Sequence, residues 1–554
     1  MKQNFFTGLF QRSALFRFLI LPVLFLLFIA CIAGITFLLK RDPVIESISP
    51  AVAEPEEIVI LRGRDFGDEQ GDSWIELGGN RLSNSTVIKW SDSTIMFKLP
   101  PLADEGLLYV CSRYGKSNPQ MLANKKNIPV IIQTASDIGL PVISQFDSAR
   151  TSIGKRLIIT GKNFGVSRSG AQVFFTWEND PLNYSFQPEQ MIAAGYEQES
   201  DYEYWSDQEI RVRVPDGAAT GNVYIQTERG LSNPAQIELI NMPGTKKYTD
   251  RRTYVLSLQI DITNLEAENG NTLFLRVPRP AVSASQRGIR ITESSPDPYM
   301  ENHRGTILVK LENLRTGKNE RISNSFILTN YGIETEINPA RVRTYSDKED
   351  PFYLLYTAAD PIVPSDNEEI KKMAASITGR EQNPYRKANM IYSWLTGNFS
   401  YNPPASPDRP VTEALNTQSG DAYDLAVLFC ALARASGIPS IPAAGILIDQ
   451  KLNPVTHYWA EFYIENFGWF PVDPALEIGI PFSVNAEKNR HFGNIDVNHI
   501  AFSRGWTDQK PMTPNSKIVY RPRAFAFQSV WEESIGKISG YTSFWTNPGV
   551  VGFY

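Results

Sequence analysis

The sequence predicts a multidomain chain: an N-terminal transmembrane helix, two all-β sandwiches, a further β-domain and an α+β core. Three observations predict it. An uncharged run near the N-terminus is long enough to cross a bilayer, a set of short motifs occurs twice, and a nearly all-apolar helix precedes two aromatic-rich strands. With 554 residues, 42% of them hydrophobic, the chain can bury several cores. A net charge of -6, with no dense Lys/Arg run, offers no field for nucleic acid. The three cysteines, Cys31, Cys111 and Cys430, form no close pair, so a disulfide scaffold and a Cys-based zinc site are both excluded.

Phe18 to Leu39 is a run of 22 residues without a charge. At about 1.5 Å per residue it spans a hydrocarbon core of about 30 Å. The run ends in Lys40-Arg41 rather than at a small-x-small cleavage site, as an uncleaved signal anchor would. Lys2, Arg12 and Arg17 precede it, and Asp42, Glu46, Glu54, Glu56 and Glu57 come after it, which favours a cytoplasmic N-terminus and an extracytoplasmic bulk. A lipid anchor on Cys31 is the alternative.

The repeat comes next. Gly63-Arg-Asp-Phe66-Gly67 recurs as Gly161-Lys-Asn-Phe164-Gly165, Trp90-Ser91-Asp92 as Trp205-Ser206-Asp207, and Ser117-Asn118-Pro119 as Ser232-Asn233-Pro234. The offset grows from 98 to 115, which places an insertion in the second copy between Glu178 and Ser200. Short alternating runs such as Thr94 to Leu99 and Ile210 to Val214 read as strands of a sandwich. Together with the openings Pro43-Val-Ile45 and Pro141-Val-Ile143, these motifs resemble the IPT/TIG family of immunoglobulin-like domains. The resemblance implies two Ig-like modules acting as spacers or recognition domains. The inserted stretch is expected to be a surface loop.

From Tyr248 to about Tyr353 the chain alternates again and reads as another β-domain, with no chemistry visible in it. Ser365-Asp-Asn-Glu368 reads as a capping box opening a helix through Ile370, Met373, Ala374 and Ile377, and a second helix runs from Pro384 to Gly397. Gly420 to Pro439 contains a helix apolar nearly all round, stopped by Gly437 and Pro439, which belongs at the centre of its domain. Thr456 to Ile464 is then a strand, Asn466-Phe467-Gly468 a turn, and Trp469 to Pro474 a second strand. His457 and Asp473 stand 16 residues apart, an even separation that puts both on one face of an unbulged hairpin.

This order, with Gly420, Asp421, Asp424, Ala426, Leu428, Arg434, Gly437, Ile438 and Pro439 followed by His457, Trp459, Glu461, Gly468, Trp469, Asp473 and Pro474, resembles the transglutaminase-like core of the papain-type superfamily. The resemblance covers about Ile370 to Leu476 and implies a Cys-His-Asp triad. At the position of the family's cysteine this chain has Ala422. A thiol at a helix N-terminus is ionised by the helix dipole and an imidazole, whereas a methyl group has nothing to ionise. Cys430 is eight residues on, about 12 Å along a helix, and reads as a small buried residue. Asp421 is expected to cap the helix and Asp424 to make a structural hydrogen bond. His491 and His499 show no partner at metal spacing and read as structural.

The expected division is 1–42 for a cytoplasmic tail and anchor, 43–135 and 136–242 for the IPT/TIG copies, 243–355 for the β-domain, 356–480 for the core and 481–554 for its C-terminal extension. The expected function is that of a single-pass membrane protein with a transglutaminase-like domain lacking its nucleophile, which binds a peptide or protein or serves envelope assembly. Vacant Ala422 with His457 and Asp473 form the site, and neither metal, cofactor nor nucleic acid is expected. An active or relict amide hydrolase and a purely structural envelope spacer are the alternatives.

Overall fold

A computed structural model describes residues 42–100, 103, 106–124, 139–168, 170–177, 186, 191–195, 201–240, 242–403, 408–449, 451–480, 490–514 and 516–554. The uncharged run from Phe18 to Leu39 lies outside them, and among the described residues no helix is long and apolar enough to cross a membrane. The chain divides into two units, Met1–Ile131 and Ile132–Tyr554.

The first unit is a two-sheet sandwich. One sheet orders Val44–Ser49, Ile58–Arg64, Thr94–Lys98 and Val87–Ser91; the other orders Val52–Ala53, Gln120–Asn124, Gly106–Ser112, Trp74–Leu77 and Asn80–Arg81. The repeated motifs are the joints of this fold. Asp65 takes a φ of 60° and Gly67 one of 95°, so the chain turns sharply and drives Phe66 into the core. Asp92 closes the turn from across the sheet, its Oδ1 accepting from the Gly67 amide at 3.1 Å, while Trp90 Nε1 donates to Phe66 O. Gly63 is required for close approach, since a Cβ there would lie 2.0 Å from Val44 O. Asn118 then pairs with both backbone groups of Ile45 at 2.7 and 2.9 Å.

In the second unit the second copy repeats this architecture strand for strand. Asn163 and Gly165 have φ of 64° and 94°, Asp207 Oδ1 accepts from Gly165 N at 3.0 Å, Trp205 Nε1 donates to Phe164 O, and Asn233 brackets Ile143. The repeat in sequence is a repeat of joints. The inserted stretch is not wholly a surface loop. Met191–Ala193 forms an edge strand on Gln172–Trp177, with Met191, Ile192 and Ala194 buried. These residues answer to the hairpin strand Asn80–Arg81 of the first copy, so the extra length falls chiefly within that hairpin.

The second copy is also fastened to the β-domain and the core. Lys246 Nζ donates to Asp216 Oδ1 and Oδ2 at 2.7 and 2.9 Å and to Trp469 O at 2.7 Å, all buried. Arg213 pairs with Asp350, Lys155 with Glu465, and Ser152 with Asn466. A freely hinged spacer would have none of these. Gly244–Pro278, a strand of 35 residues, organises the β-domain and pairs with Glu320–Ile337 and Thr306–Glu312. The segment assigned from sequence to a C-terminal extension of the core divides between two sheets. His499–Arg504 joins the core sheet, whereas Glu532–Trp545 and Gly549–Phe553 pair with Gly244–Pro278.

The core is a four-stranded antiparallel sheet in the order Gly468–Val472, Pro454–Ile464, Ser440–Ile448, His499–Arg504. The helix Ala422–Ala435 packs on it with nearly every side chain buried, as an all-round apolar sequence requires. The helix at Glu368–Thr378 is capped by Asn367, whose Oδ1 accepts from Glu369 and Ile370 amides, and not by Ser365 as the capping box predicts. The helix Pro384–Asn398 starts at the expected proline.

Because Lys246 and Asp216 are both buried, removing one leaves the other charge unpaired. Asp216→Ala should cost about 3–5 kcal/mol in urea unfolding, and the Asp216→Leu/Lys246→Met pair should recover most of it. A loss below about 1 kcal/mol for the single variant would show that this joint does not hold the domains together.

Candidate functional site

Ala422 is the first residue of the central helix and is buried. Asp421 caps it, accepting from the Asp424 amide at 3.0 Å, while the Asp424 side chain accepts from the Asp421 amide at 3.2 Å. Both expected roles hold, and both carboxylates carry more. Arg523 donates to Asp421 Oδ1 at 2.8 Å and Asp424 Oδ1 at 2.7 Å, and Arg409 pairs with the other oxygen of Asp424. Burial, opposed by Arg523, leaves the Asp421 carboxyl raised above its usual range. Arg523 also lies over the Tyr423 ring at 4.3 Å, and Tyr423 meets Tyr458 edge-on at 5.3 Å. The start of the helix is thus held by an ion network that reaches Arg409, 15 residues before Asp424, and Arg523, 99 residues after it.

The hairpin delivers the dyad. Ala460 opposes Val472 and Tyr463 opposes Trp469, so the register carries Asp473 to the position beside Trp459, on the face that His457 shares. His457 Nε2 and Asp473 Oδ2 are 2.6 Å apart, with both side chains buried. His457 stacks on Trp459 at an interplanar angle of 21°. Its other ring nitrogen, Nδ1, is buried without a partner among the described residues. Asp473 ends the hairpin and caps the helix Pro474–Ile478, its Oδ1 accepting from the Leu476 amide at 2.9 Å.

A second histidine stands behind the dyad. His499 Nε2 lies 3.2 Å from the same Asp473 Oδ2, and its Nδ1 lies 2.7 Å from Asp496 Oδ1. From sequence, His499 shows no acidic partner at metal spacing and reads as structural; the fold brings it two, Asp496 three residues earlier and Asp473 from the hairpin. His499 reaches the dyad because Gly445 stands opposite His457 on the intervening strand, where a Cβ would lie 1.9 Å from Ile500 O. A register shift beside Gly445 turns the edge strand locally. The ligand-type atoms of His457, Asp473 and His499 all lie within 4.8 Å of one another. His491 is half-buried and contributes its backbone, accepting from the Asp473 amide.

The charges sort accordingly. Burial alone would raise the Asp473 carboxyl, but His457 and His499 hold it far below the usual carboxylate range. Burial opposes a charge on His499, yet Asp496 and Asp473 lift it to about 9. Asp496 is pulled to about 2, with His499 outweighing burial. Tyr401, paired beside Gly420 just ahead of the helix, is raised to about 12 by burial and by both Asp421 and Asp473. Cys430 is fully buried, its thiol pushed up to about 12 by burial, which leaves it inert at neutral pH.

A folded-state value for His499 above the ordinary 6.5 means that its stabilisation is complete below about pH 6.5 and is lost as pH rises through about 9. Asp496 acts in the opposite window, its contribution present above about pH 4 and lost only as pH falls towards about 2. Urea unfolding of chelator-treated protein between pH 6 and 10 should therefore show stability falling by an amount on the order of 1–3 kcal/mol, and His499→Gln should flatten the profile. An unchanged slope in that variant would show that His499 does not carry this pH dependence.

Comparison with known proteins agrees with this architecture. Residues 371–474 match the transglutaminase-like superfamily, and residues 43–125 match the IPT/TIG domain. A protein of Haemophilus influenzae is 29% identical over 182 residues, 27% of this chain and 49% of that protein, so the chain spans about half of that relative's length. Among solved structures, a candidate cysteine protease of Cytophaga hutchinsonii aligns at 17% identity over 56% of this chain and 92% of its own, with a TM-score of 0.37. The periplasmic domain of TgpA from Pseudomonas aeruginosa aligns at 14% identity over 41% and 87%, with a TM-score of 0.23. The chain therefore carries a transglutaminase-like domain at 371–474 behind an IPT/TIG domain at 43–125.

Proposed function

We propose that this is a membrane-anchored extracytoplasmic protein whose transglutaminase-like domain binds a peptide or protein segment and does not cut or transfer it. The observation that carries this reading is Ala422 at the first position of the central helix, where the family has its cysteine, in a domain that keeps the His457–Asp473 pair at 2.6 Å. Amide chemistry in such a site needs a thiolate to attack the carbonyl and an imidazolium to protonate the leaving amine. A methyl group supplies no electron pair, and loss of a nucleophile costs about 10⁶-fold in comparable triads. What remains is a buried imidazole whose Nδ1 has no partner among the described residues and is left to hold a ligand group. The intact dyad also supports a second reading, relict hydrolysis with His457 activating water.

Glutamine-containing peptides titrated into the purified protein distinguish the two. Binding without turnover, weakened about tenfold or more by His457→Ala, is expected, since a lost hydrogen bond to a buried group is worth at least about 1.4 kcal/mol. Peptide hydrolysis or amine transfer by the parent that disappears in His457→Ala would overturn the binding reading.

If the helix start still faces the imidazole, Ala422→Cys should create a thiol that alkylates at about pH 6, because a helix N-terminus and an imidazole lower a thiol pKa from about 8.5 towards 7 or below. His457→Ala in that background should move the reactivity back up in pH. A thiol indifferent to His457 would mean that the two halves of the site have drifted apart.

Anchoring through Phe18 to Leu39 is the second part of the proposal, supported by the uncharged run and the flanking charges. Protease added outside intact cells with an opened envelope should digest residues from Pro43 onward. Protection until lysis would reverse the topology.

A further inference from the structure

We propose that His457, Asp473 and His499 form a binding site for one divalent transition-metal ion of the zinc or cobalt type. This goes beyond the peptide-binding reading and does not depend on it. Two imidazole nitrogens and one carboxylate oxygen converge from three separate elements of the core, all buried and within 4.8 Å of one another. Two histidines with one carboxylate, leaving a fourth position open, are a donor set that zinc and its neighbours accept.

The surroundings orient each donor. Asp496 Oδ1 holds His499 Nδ1 at 2.7 Å, which fixes that ring with Nε2 pointing inward. A carboxylate behind a ligating histidine is the usual support of such a ligand. Asp473 Oδ1 is engaged by the Leu476 amide, which leaves Oδ2 as the inward oxygen. Trp459 stacks on His457 and meets His499 edge-on, so neither ring is free to swing. Bonds of about 2.0–2.2 Å at near-tetrahedral angles need donors about 3.3 Å apart. His499 and Asp473 are already at 3.2 Å; His457 and Asp473, at 2.6 Å, must separate by about 0.7 Å, and the two imidazoles must close to the same spacing.

There is also a way in. A cavity of about 200 Å³ opens on His499 and Asp496 and is lined further by Asp250, Glu334, His491 and Asn494. Its acids draw cations toward the buried donors. The sequence pointed away from a metal because the donors are separated by 16 and 26 residues, with no helical or loop spacing to betray them.

The test is cobalt titration of the detergent-solubilised full-length chain, carried without a histidine tag and stripped with chelator. One equivalent of Co²⁺ should give the intense visible absorption of a low-coordinate site, and one equivalent of Zn²⁺ should abolish it. His499→Gln, with folding checked by circular dichroism, should remove the band, and Asp496→Asn should weaken cobalt binding about 10–100-fold while keeping it. Absence of the band in the parent, or a band unchanged in His499→Gln, would overturn the proposal. Peptide binding that survives in metal-free protein would leave the binding reading standing either way.

Discussion

The carboxylate of Asp473 is the point on which this site depends. It takes His457 and His499 on one oxygen and the Leu476 amide on the other. Three elements of the core are thereby tied to one group: the strand carrying His457, the edge strand opened by His499, and the short helix that Asp473 caps. A buried carboxylate is costly to strip of water unless its charge is matched, and here His457 and His499 together hold the Asp473 carboxyl in its charged form.

The start of the central helix is balanced by groups other than a thiolate. An active cysteine–histidine pair stores its positive charge on the imidazole facing the sulfur. With a methyl at Ala422, no anion is present there to be balanced, and the helix start is instead neutralised by its own carboxylates and by Arg409 and Arg523. The carboxylates at the helix start are thus paired within the domain itself. The second Ig-like copy, fastened through Lys246 and Asp216 to Trp469 O, braces the hairpin that presents the dyad, because Trp469 lies near the start of the strand that leads to Asp473.

What the sequence made legible was local. The Gly-x-x-Phe-Gly repeats, the hairpin with His457 and Asp473 on one face and the cap at Asp421 depend on spacings of a few to sixteen residues, which periodicity can read. What it hid was long-range. Arg523 reaches Asp424 across 99 residues, and the strands from Glu532 to Phe553 return to Gly244–Pro278 across nearly half the chain. His499 is the instructive case. Its local partner Asp496 was within three residues, but its larger role arises only because strand order brings the edge strand beside the dyad. The inserted stretch misled because a loop and an edge strand share one polar composition around a few apolar residues.

The chain has only 4 histidines, so their ring nitrogens can be resolved one by one. Long-range ¹H–¹⁵N correlation of the imidazoles at neutral pH, in chelator, is the most direct test of the site as a whole. His457 should carry a proton on Nε2, in a hydrogen bond to Asp473. His499 should stay protonated on both nitrogens until the pH approaches about 9. A His457 without a proton on Nε2, or a His499 that loses its charge near the ordinary 6.5, would contradict the arrangement around Asp473 on which the site is built.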